Sequence, residues 1–287
     1  MKTEAVYEIM KVRVLTALVM VAVLIPFLIF SEYFVWPLLI CVMTAIGIFE
    51  MLRCTGMIRK IYAAVPAFLI GVGFPGVLRF LEARGIDPLR TFFILGVCLT
   101  TWNMISCVFS KGGFTMQNAL MTAGMTLYIS FGFSVLILLR DMENGKFVFL
   151  LSLLIPWMSD VFAYFSGVLF GKHKLIPEVS PKKTIEGSVG GLIAGTVIAV
   201  VYVWLIAKLS GAAADLFVVA LAAFVTAALS QVGDLIMSVI KREYGIKDYG
   251  KLFPGHGGIL DRFDSVLVTT PFLYFLLTLS ETLIVIR

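Results

Sequence analysis

Residues 230–265 read SQVGDLIMSVIKREYGIKDYGKLFPGHGGILDRFDS, and the rest of the chain is organised around this stretch. It begins and ends in apolar sequence but is crowded with charged and polar residues in between. The whole chain is 60% hydrophobic and only 14% charged, so this density is far above the background. Ionisable groups in a segment that dips into a bilayer cost free energy, and their concentration here therefore predicts a functional site.

The first part of the stretch has helical spacing. Four polar residues fall at positions i, i+4, i+8 and i+11, which a helix stacks along one face. They are Ser230, Asp234, Ser238 and Lys241. We expect this face to lead out of an apolar helix toward the basic pair formed by Lys241 and Arg242.

The second part joins two carboxylates to a glycine-rich loop. Asp261 and Asp264 are three positions apart and would lie on one side of a helix that begins there. Three glycines fill the last four positions of the preceding loop, 253–258, and glycine lets backbone approach a ligand closely. Such a loop, flanked by carboxylates and cations, suits a divalent metal with phosphate, because Mg²⁺ is usually held by one or two carboxylates, waters and phosphate oxygens.

These residues resemble the signature of the phosphatidate cytidylyltransferases, also called CDP-diacylglycerol synthases, of the bacterial type. The matching positions are Ser238, Lys241, Arg242, Lys247, Asp248, the run from Pro254 to Gly258, Asp261, Arg262 and Asp264. The resemblance implies a transferase of phospholipid biosynthesis that joins CTP to phosphatidic acid, forming CDP-diacylglycerol and pyrophosphate. Phosphoryl chemistry of this kind depends on positioning and charge neutralisation rather than on a protein nucleophile.

A second polar segment occupies residues 159–191. Its central part resembles another segment common in the same family and comprises Ser180, Lys182, Lys183, Thr184 and Glu186. We expect Lys182 and Lys183 to bind the phosphatidic acid headgroup, at the depth where a lipid phosphate lies. Asp160 falls inside an apolar run and should face the protein interior or a water-filled cavity, and its role stays open.

The resemblance and the residue chemistry together assign roles. Mg²⁺ is expected on Asp234, Asp261 and Asp264, with room for a second cation. The catalytic residues are expected to be Asp234, Lys241, Arg242, Asp261, Arg262 and Asp264. The expected substrate-binding residues are Ser180, Lys182, Lys183, Thr184, Glu186, Ser238, Lys247, Asp248, Gly255, His256, Gly257 and Gly258. For His256 three roles stay open: a general base, a hydrogen-bond donor to phosphate, or a structural residue.

Composition predicts an all-α, polytopic integral membrane protein. The mean hydropathy is +1.01, and the requirement of about 20 apolar residues per span yields about nine transmembrane helices. They are expected near residues 12–30, 33–52, 61–80, 91–109, 115–139, 147–170, 188–208, 213–240 and 265–286. We expect one membrane domain over 1–287, with N-terminal helices in 1–146 and the catalytic helices and cytoplasmic loops in 147–287.

Charge distribution predicts the orientation of the chain. The formal net charge is +5, but the cations lie in short connectors between spans, which indicates membrane orientation rather than nucleic-acid binding. Every strongly basic connector falls on the same side, so we expect an inner-membrane protein with its active site facing the cytoplasm. The sequence is also compatible with a homodimer.

Two other functions would explain part of the sequence. A transporter of anionic or phosphorylated solutes would explain carboxylates within the membrane but not the crowded loops, and the internal repeats typical of transporters are not visible. A related CTP-dependent lipid kinase could share the same pocket. Release of pyrophosphate rather than CDP would distinguish the transferase from the kinase.

Overall fold

The structure, a computed structural model, describes residues 33–211 and 213–279 and a few positions between 22 and 31. Eight α-helices account for most of these residues. They are α1 (Val35–Cys54), α2 (Ile61–Ala83), α3 (Pro88–Phe109), α4 (Met116–Asp141), α5 (Gly145–Phe170), α6 (Ile185–Ser210), α7 (Leu216–Glu243) and α8 (Leu260–Leu279). A 3₁₀ turn, Met57–Arg59, precedes α2, and a hairpin of β1 (Lys174–Ile176) and β2 (Ser180–Thr184) joins α5 to α6.

Seven of these helices, α1 to α7, are long and apolar enough to cross a membrane. The predicted all-α, polytopic class is therefore confirmed, and the spans expected from 33–52 to 213–240 agree with α1 to α7 within three residues at each end. The predicted count of about nine is slightly high for the described residues. The first expected span, 12–30, lies mostly outside them, and α8 begins with charged residues rather than in the apolar run expected at 265–286.

The chain forms two compact units. The first unit comprises the described residues up to Ile137 together with Tyr244–Arg262, and the second comprises Leu138–Glu243 together with the described residues from Phe263 onward. The segment Tyr244–Arg262, which contains half of the polar stretch, thus belongs with the N-terminal helices. The expected division of function at residue 146 stays a prediction.

In the first unit, small residues bring helices close together. A Cβ at Gly47 of α1 would lie 3.2 Å from the Ile129 side chain and 3.4 Å from that of Phe133, both on α4. The buried hydroxyl of Ser130 donates to the Gly71 carbonyl of α2 at 2.7 Å. Close approach at small residues and hydrogen bonds between helices are the usual means of packing where lipid removes the hydrophobic driving force.

In the second unit, a row of glycines packs α6 against α5. Cβ atoms at Gly187 and Gly191 would lie 2.6 Å from the carbonyl oxygens of Ala163 and Ser159 respectively, so only glycine permits this approach. The apolar core of the unit adds residues from α5, α6 and α7. Its buried members are Leu151, Ile155, Ala199, Val203, Val219, Ala223 and Ala227.

The β-hairpin between α5 and α6 is an element that the sequence analysis does not predict. Its strands are antiparallel, with Lys174 opposite Thr184 and Ile176 opposite Ser180. The strands are three and five residues long, too short and too polar for the alternation of apolar and polar residues that marks a strand in a sequence. The hairpin fixes the basic segment between two membrane helices.

Candidate active site

Helix α7 carries the predicted polar face. The Ser238 hydroxyl lies 3.3 Å from Asp234 Oδ1 and donates to it, as the spacing of four residues predicts. Ser230, one turn before Asp234, is fully buried, and its hydroxyl donates to the Ala227 carbonyl. The prediction that these residues lie along one face of a helix is therefore confirmed.

An ion pair joins the two polar segments that the sequence predicts to be functional. Lys183 Nζ, at the end of β2, lies 2.6 Å from Asp234 Oδ2 on α7, and each side chain is 25% exposed. The ammonium nitrogen itself is buried and has no hydrogen-bond partner in the described part of the chain beyond this ion pair. An ammonium group has three N–H donors, so Lys183 can neutralise Asp234 and still bind a second anion.

Two further carboxylates of the second unit meet at Ser265. The Ser265 hydroxyl lies 3.2 Å from Asp160 Oδ2 and 3.1 Å from Asp264 Oδ1. Its backbone N–H also donates to Asp264 Oδ1, at 2.8 Å. Burial raises the pKa of the Asp264 carboxyl, the charges of Asp234 and Asp160 raise it further, and the charge of Lys241 lowers it. Asp160, Asp234 and Asp264 thus form a carboxylate cluster, and Asp160 joins the predicted residues.

The carboxylate cluster is suited to a hard divalent cation. Three carboxylates in a largely buried setting repel one another, and Lys183 and Lys241 are the basic residues whose interactions with the cluster we find. No group of three or more potential ligands in the described residues is already arranged around one point. Mg²⁺ does not need such a cage, because it is commonly held by one or two carboxylates with waters and phosphate oxygens completing the shell. Asp234 and Asp264 fit that requirement.

Asp261 has a different environment. Its Oδ2 accepts hydrogen bonds from the backbone N–H groups of Tyr249, at 2.8 Å, and Gly258, at 2.9 Å, all within the first unit. The side chain is only 7% exposed. Arg262, the next residue, is exposed. The contacts that we find for Asp261 are therefore with backbone, and its role as a metal ligand stays a prediction.

The glycine-rich loop forms a tight turn. Phe253 and Gly257 pair as an isolated bridge, and the His256 N–H donates to the Phe253 carbonyl at 2.9 Å. Gly255 and Gly257 have φ values of +75° and +88°, which side-chain-bearing residues resist. The ring nitrogen Nδ1 of His256 is buried without a hydrogen-bond partner among the described residues. The role of His256 as a hydrogen-bond donor to phosphate stays a prediction.

Several predicted substrate-binding residues have structural contacts in the second unit. Thr184 caps α6, with its hydroxyl oxygen accepting from the Gly187 N–H at 3.1 Å. Glu186 accepts from the Lys172 N–H and lies 2.7 Å from His173 Nδ1, closing the base of the hairpin. Substrate contact by these residues stays a prediction.

The remaining predicted residues lie on the hairpin, at the end of α7 and in the connector to α8. Arg242 Nε donates to the Val179 carbonyl at 3.2 Å and so ties the hairpin turn to α7. The exposed or half-buried residues in these segments are Ser180, Lys182, Lys241, Lys247 and Asp248. Their polar and charged groups are therefore accessible to a ligand.

Sequence reasoning missed two polar residues within apolar helices. Gln231 of α7 donates to the Ser188 carbonyl of α6 at 2.9 Å and also contacts the Ser188 hydroxyl. Glu50 of α1 is 4% exposed and accepts from backbone N–H groups at the start of α8. Polar residues in a membrane helix are functional candidates on general grounds, and that signal alone would have found Glu50 and Gln231.

The fold and these residues define a polytopic membrane protein with a cationic and carboxylate site suited to phosphates. Comparison with known sequences identifies the family: the sequence profile described as the cytidylyltransferase family matches residues 11–280. The chain therefore belongs to the cytidylyltransferase family, and the resemblance found in the signature is confirmed.

Relatives from three bacteria match over nearly their full lengths. The phosphatidate cytidylyltransferase of Bacillus subtilis (strain 168) is 35% identical over 277 residues, which cover 94% of this chain and 98% of the relative. The protein of the same name from Staphylococcus haemolyticus (strain JCSC1435) is 32% identical over 93% of this chain and 99% of the relative. That of Staphylococcus aureus (strain COL) is 30% identical over 94% of this chain and all of the relative.

Proposed function

We propose that this protein transfers the CMP moiety of CTP to phosphatidic acid, forming CDP-diacylglycerol and pyrophosphate. Family membership supports nucleotidyl transfer, and the names of the relatives support the lipid acceptor. The structural observation that carries the proposal is the ion pair between Lys183 and Asp234. It brings the hairpin, expected to bind the lipid phosphate, to the helix expected to hold the metal.

The proposed reaction is an in-line displacement. An oxygen of the phosphatidic acid phosphate attacks the α-phosphorus of CTP, the bond from that phosphorus to the bridging oxygen breaks, and pyrophosphate leaves. The attacking oxygen is already ionised near neutral pH, so no protein base is needed. The residues contribute by positioning both phosphates and by neutralising their charge.

The carboxylates and the basic residues have different roles in this reaction. Asp234 and Asp264, together with Asp261 as the sequence predicts, would hold Mg²⁺, which would supply positive charge to the reacting phosphates. Lys183 is placed to exchange part of its interaction with Asp234 for a lipid phosphate oxygen. Arg262, which is exposed at the start of α8, offers bidentate hydrogen bonds to the triphosphate.

The direct test is an assay of the purified protein in detergent or liposomes. Labelled CTP and phosphatidic acid, with Mg²⁺, should yield labelled CDP-diacylglycerol and one pyrophosphate per turnover. Omission of Mg²⁺ with chelator present should abolish the product. Formation of CDP and a pyrophosphorylated lipid would identify a kinase instead, and an absence of turnover with phosphatidic acid would refute the proposed acceptor.

We also propose that the hairpin and the loop 244–259 face the cytoplasm from the inner membrane. Two spans, α6 and α7, separate these segments, and both carry lysines, which favour the cytoplasmic side. Single cysteines placed near Lys183 and near Gly250 should resist an impermeant thiol reagent in intact cells and react after permeabilisation. Labelling of either position from outside would contradict the orientation.

A further inference from the structure

Helix α1 contains a buried carboxylate that the reaction proposed above does not use. Glu50 lies near the end of this apolar helix and is 4% exposed. Burial of a carboxylate without partners is costly, and such groups persist where hydrogen bonds compensate them. The hydrogen-bond partners of Glu50 therefore indicate its role.

Glu50 binds the start of α8. Its Oε1 accepts from the Ile259 N–H at 3.1 Å, and its Oε2 accepts from the Leu260 N–H at 2.9 Å. The first N–H groups of a helix have no partner within the helix, and negative charge is favourable at that end. Glu50 thus caps α8 from another helix, more than 200 positions away in the sequence.

The space for this carboxylate depends on two glycines. A Cβ at Gly250 or at Gly258 would overlap the Glu50 carboxylate. Neither glycine has a positive φ, so an L residue could adopt either backbone conformation. Glycine is required at both positions to leave room for Glu50, and Gly258 is a member of the signature.

Glu50 and Asp261 together hold the whole loop. Asp261 accepts from the Tyr249 and Gly258 N–H groups, while Glu50 accepts from the next two N–H groups along the chain. Four backbone donors between residues 249 and 260 are thereby bound to two carboxylates. A displacement of Glu50 would release the turn from which the Asp261 and Arg262 side chains project.

We propose that Glu50 is a positioning residue for the transfer reaction: it fixes the loop 249–260 and the first turn of α8, and through them the signature side chains at 261 and 262. The proposal rests on the proposed function for the reaction affected. The fixing of the loop by Glu50 is a property of the protein alone and is measured without substrate.

The first test is Glu50→Gln in the purified full-length protein. Glutamine keeps the size but offers one acceptor oxygen and turns an N–H donor toward a backbone donor. We expect amide hydrogen exchange in peptides covering 249–260 to become about tenfold faster, and kcat to fall about tenfold, since hydrogen bonds to charged groups are the stronger kind. KM for phosphatidic acid should change less than twofold.

Thr44→Val is the matched control. Thr44 is fully buried on the same helix, and its hydroxyl donates to the Ile40 carbonyl within that helix. This variant removes a buried polar group without touching the loop. Its exchange at 249–260 and its kcat should equal those of the unmodified protein.

Gly250→Ala is the second variant, and it retains the Glu50 charge. The added methyl group should push the carboxylate away from its N–H partners and reproduce both the faster local exchange and the lower kcat. Unchanged exchange at 249–260 in both variants would show that Glu50 does not fix the loop. Faster exchange with normal kcat would overturn the positioning role. Faster exchange throughout all helices in both variants would assign Glu50 to general folding instead. Failure of the unmodified protein to use CTP and phosphatidic acid would refute the proposed function while leaving the exchange result interpretable.

Discussion

Two aspartates that the sequence assigns to the metal, Asp234 and Asp261, have opposite environments. Asp261 is 7% exposed and is held by backbone N–H groups, whereas Asp234 is 25% exposed and is held by the side chains of Lys183 and Ser238. Backbone donors are fixed by the fold, but side-chain donors can rotate to another partner. The comparison indicates that Asp261 is held in one position by the backbone, whereas the side-chain partners of Asp234 can change when a ligand binds.

The largest effect is expected from Asp234→Asn. The amide keeps the size of the side chain and its hydrogen bond with Ser238 but removes the charge that faces Lys183 and the proposed cation. We expect kcat to fall by at least about a hundredfold, because several kilocalories of transition-state stabilisation depend on such an ion. Steady-state assays at saturating Mg²⁺ measure this fall in kcat.

Asp215→Asn is the control for that variant. Asp215 caps the other end of the same helix by accepting from the Phe217 and Val218 N–H groups, and asparagine is an equally good cap. Its activity should match that of the unmodified protein. Near-normal turnover of Asp234→Asn would contradict the metal assignment.

Asp261→Asn separates the hydrogen bonds of Asp261 from its charge, because the amide oxygen can still accept from the Tyr249 and Gly258 N–H groups. The loop should stay in place, as hydrogen exchange at 249–260 would show, while the negative charge is lost. If Asp261 shares the ion with Asp234, as the signature predicts, kcat falls by a similar factor and the double variant is scarcely worse than either single one. Normal activity of Asp261→Asn would restrict Asp261 to holding the loop.

A smaller effect, on substrate binding, is expected from Lys183→Ala. Loss of the buried ammonium removes a phosphate partner and leaves Asp234 without its ion pair. We expect KM for phosphatidic acid to rise about tenfold, the value of roughly one charged contact, and KM for CTP to rise less. Lys174→Ala, on the exposed first strand of the same hairpin, should change neither. Equal increases for both substrates would indicate a general electrostatic effect.

The sequence predicts the spans and the face of α7 well, because apolar length and helical spacing are local properties. It does not predict which segments meet. The contact between Lys183 and Asp234 joins positions 51 apart, and that between Glu50 and Leu260 joins positions 210 apart. Glu50 also lies outside the signature, in a helix with no other acidic residue. The hairpin escapes prediction because its strands are short and polar.

The smallest effect concerns the Thr184 cap of α6. Its buried hydroxyl oxygen accepts from the Gly187 N–H, and loss of such a cap typically costs about 1 kcal/mol of stability. Thr184→Ala should therefore lower the melting temperature by a few degrees, while Thr184→Ser, which keeps the hydroxyl, should not. Thermal unfolding in detergent measures the cap, and an unchanged melting temperature for the alanine variant would argue against it. KM for phosphatidic acid, measured well below the melting temperature, tests the predicted substrate contact separately. If the hydroxyl only caps α6, KM is unchanged in both variants. If it also binds the lipid phosphate, KM rises in the alanine variant and not in the serine variant.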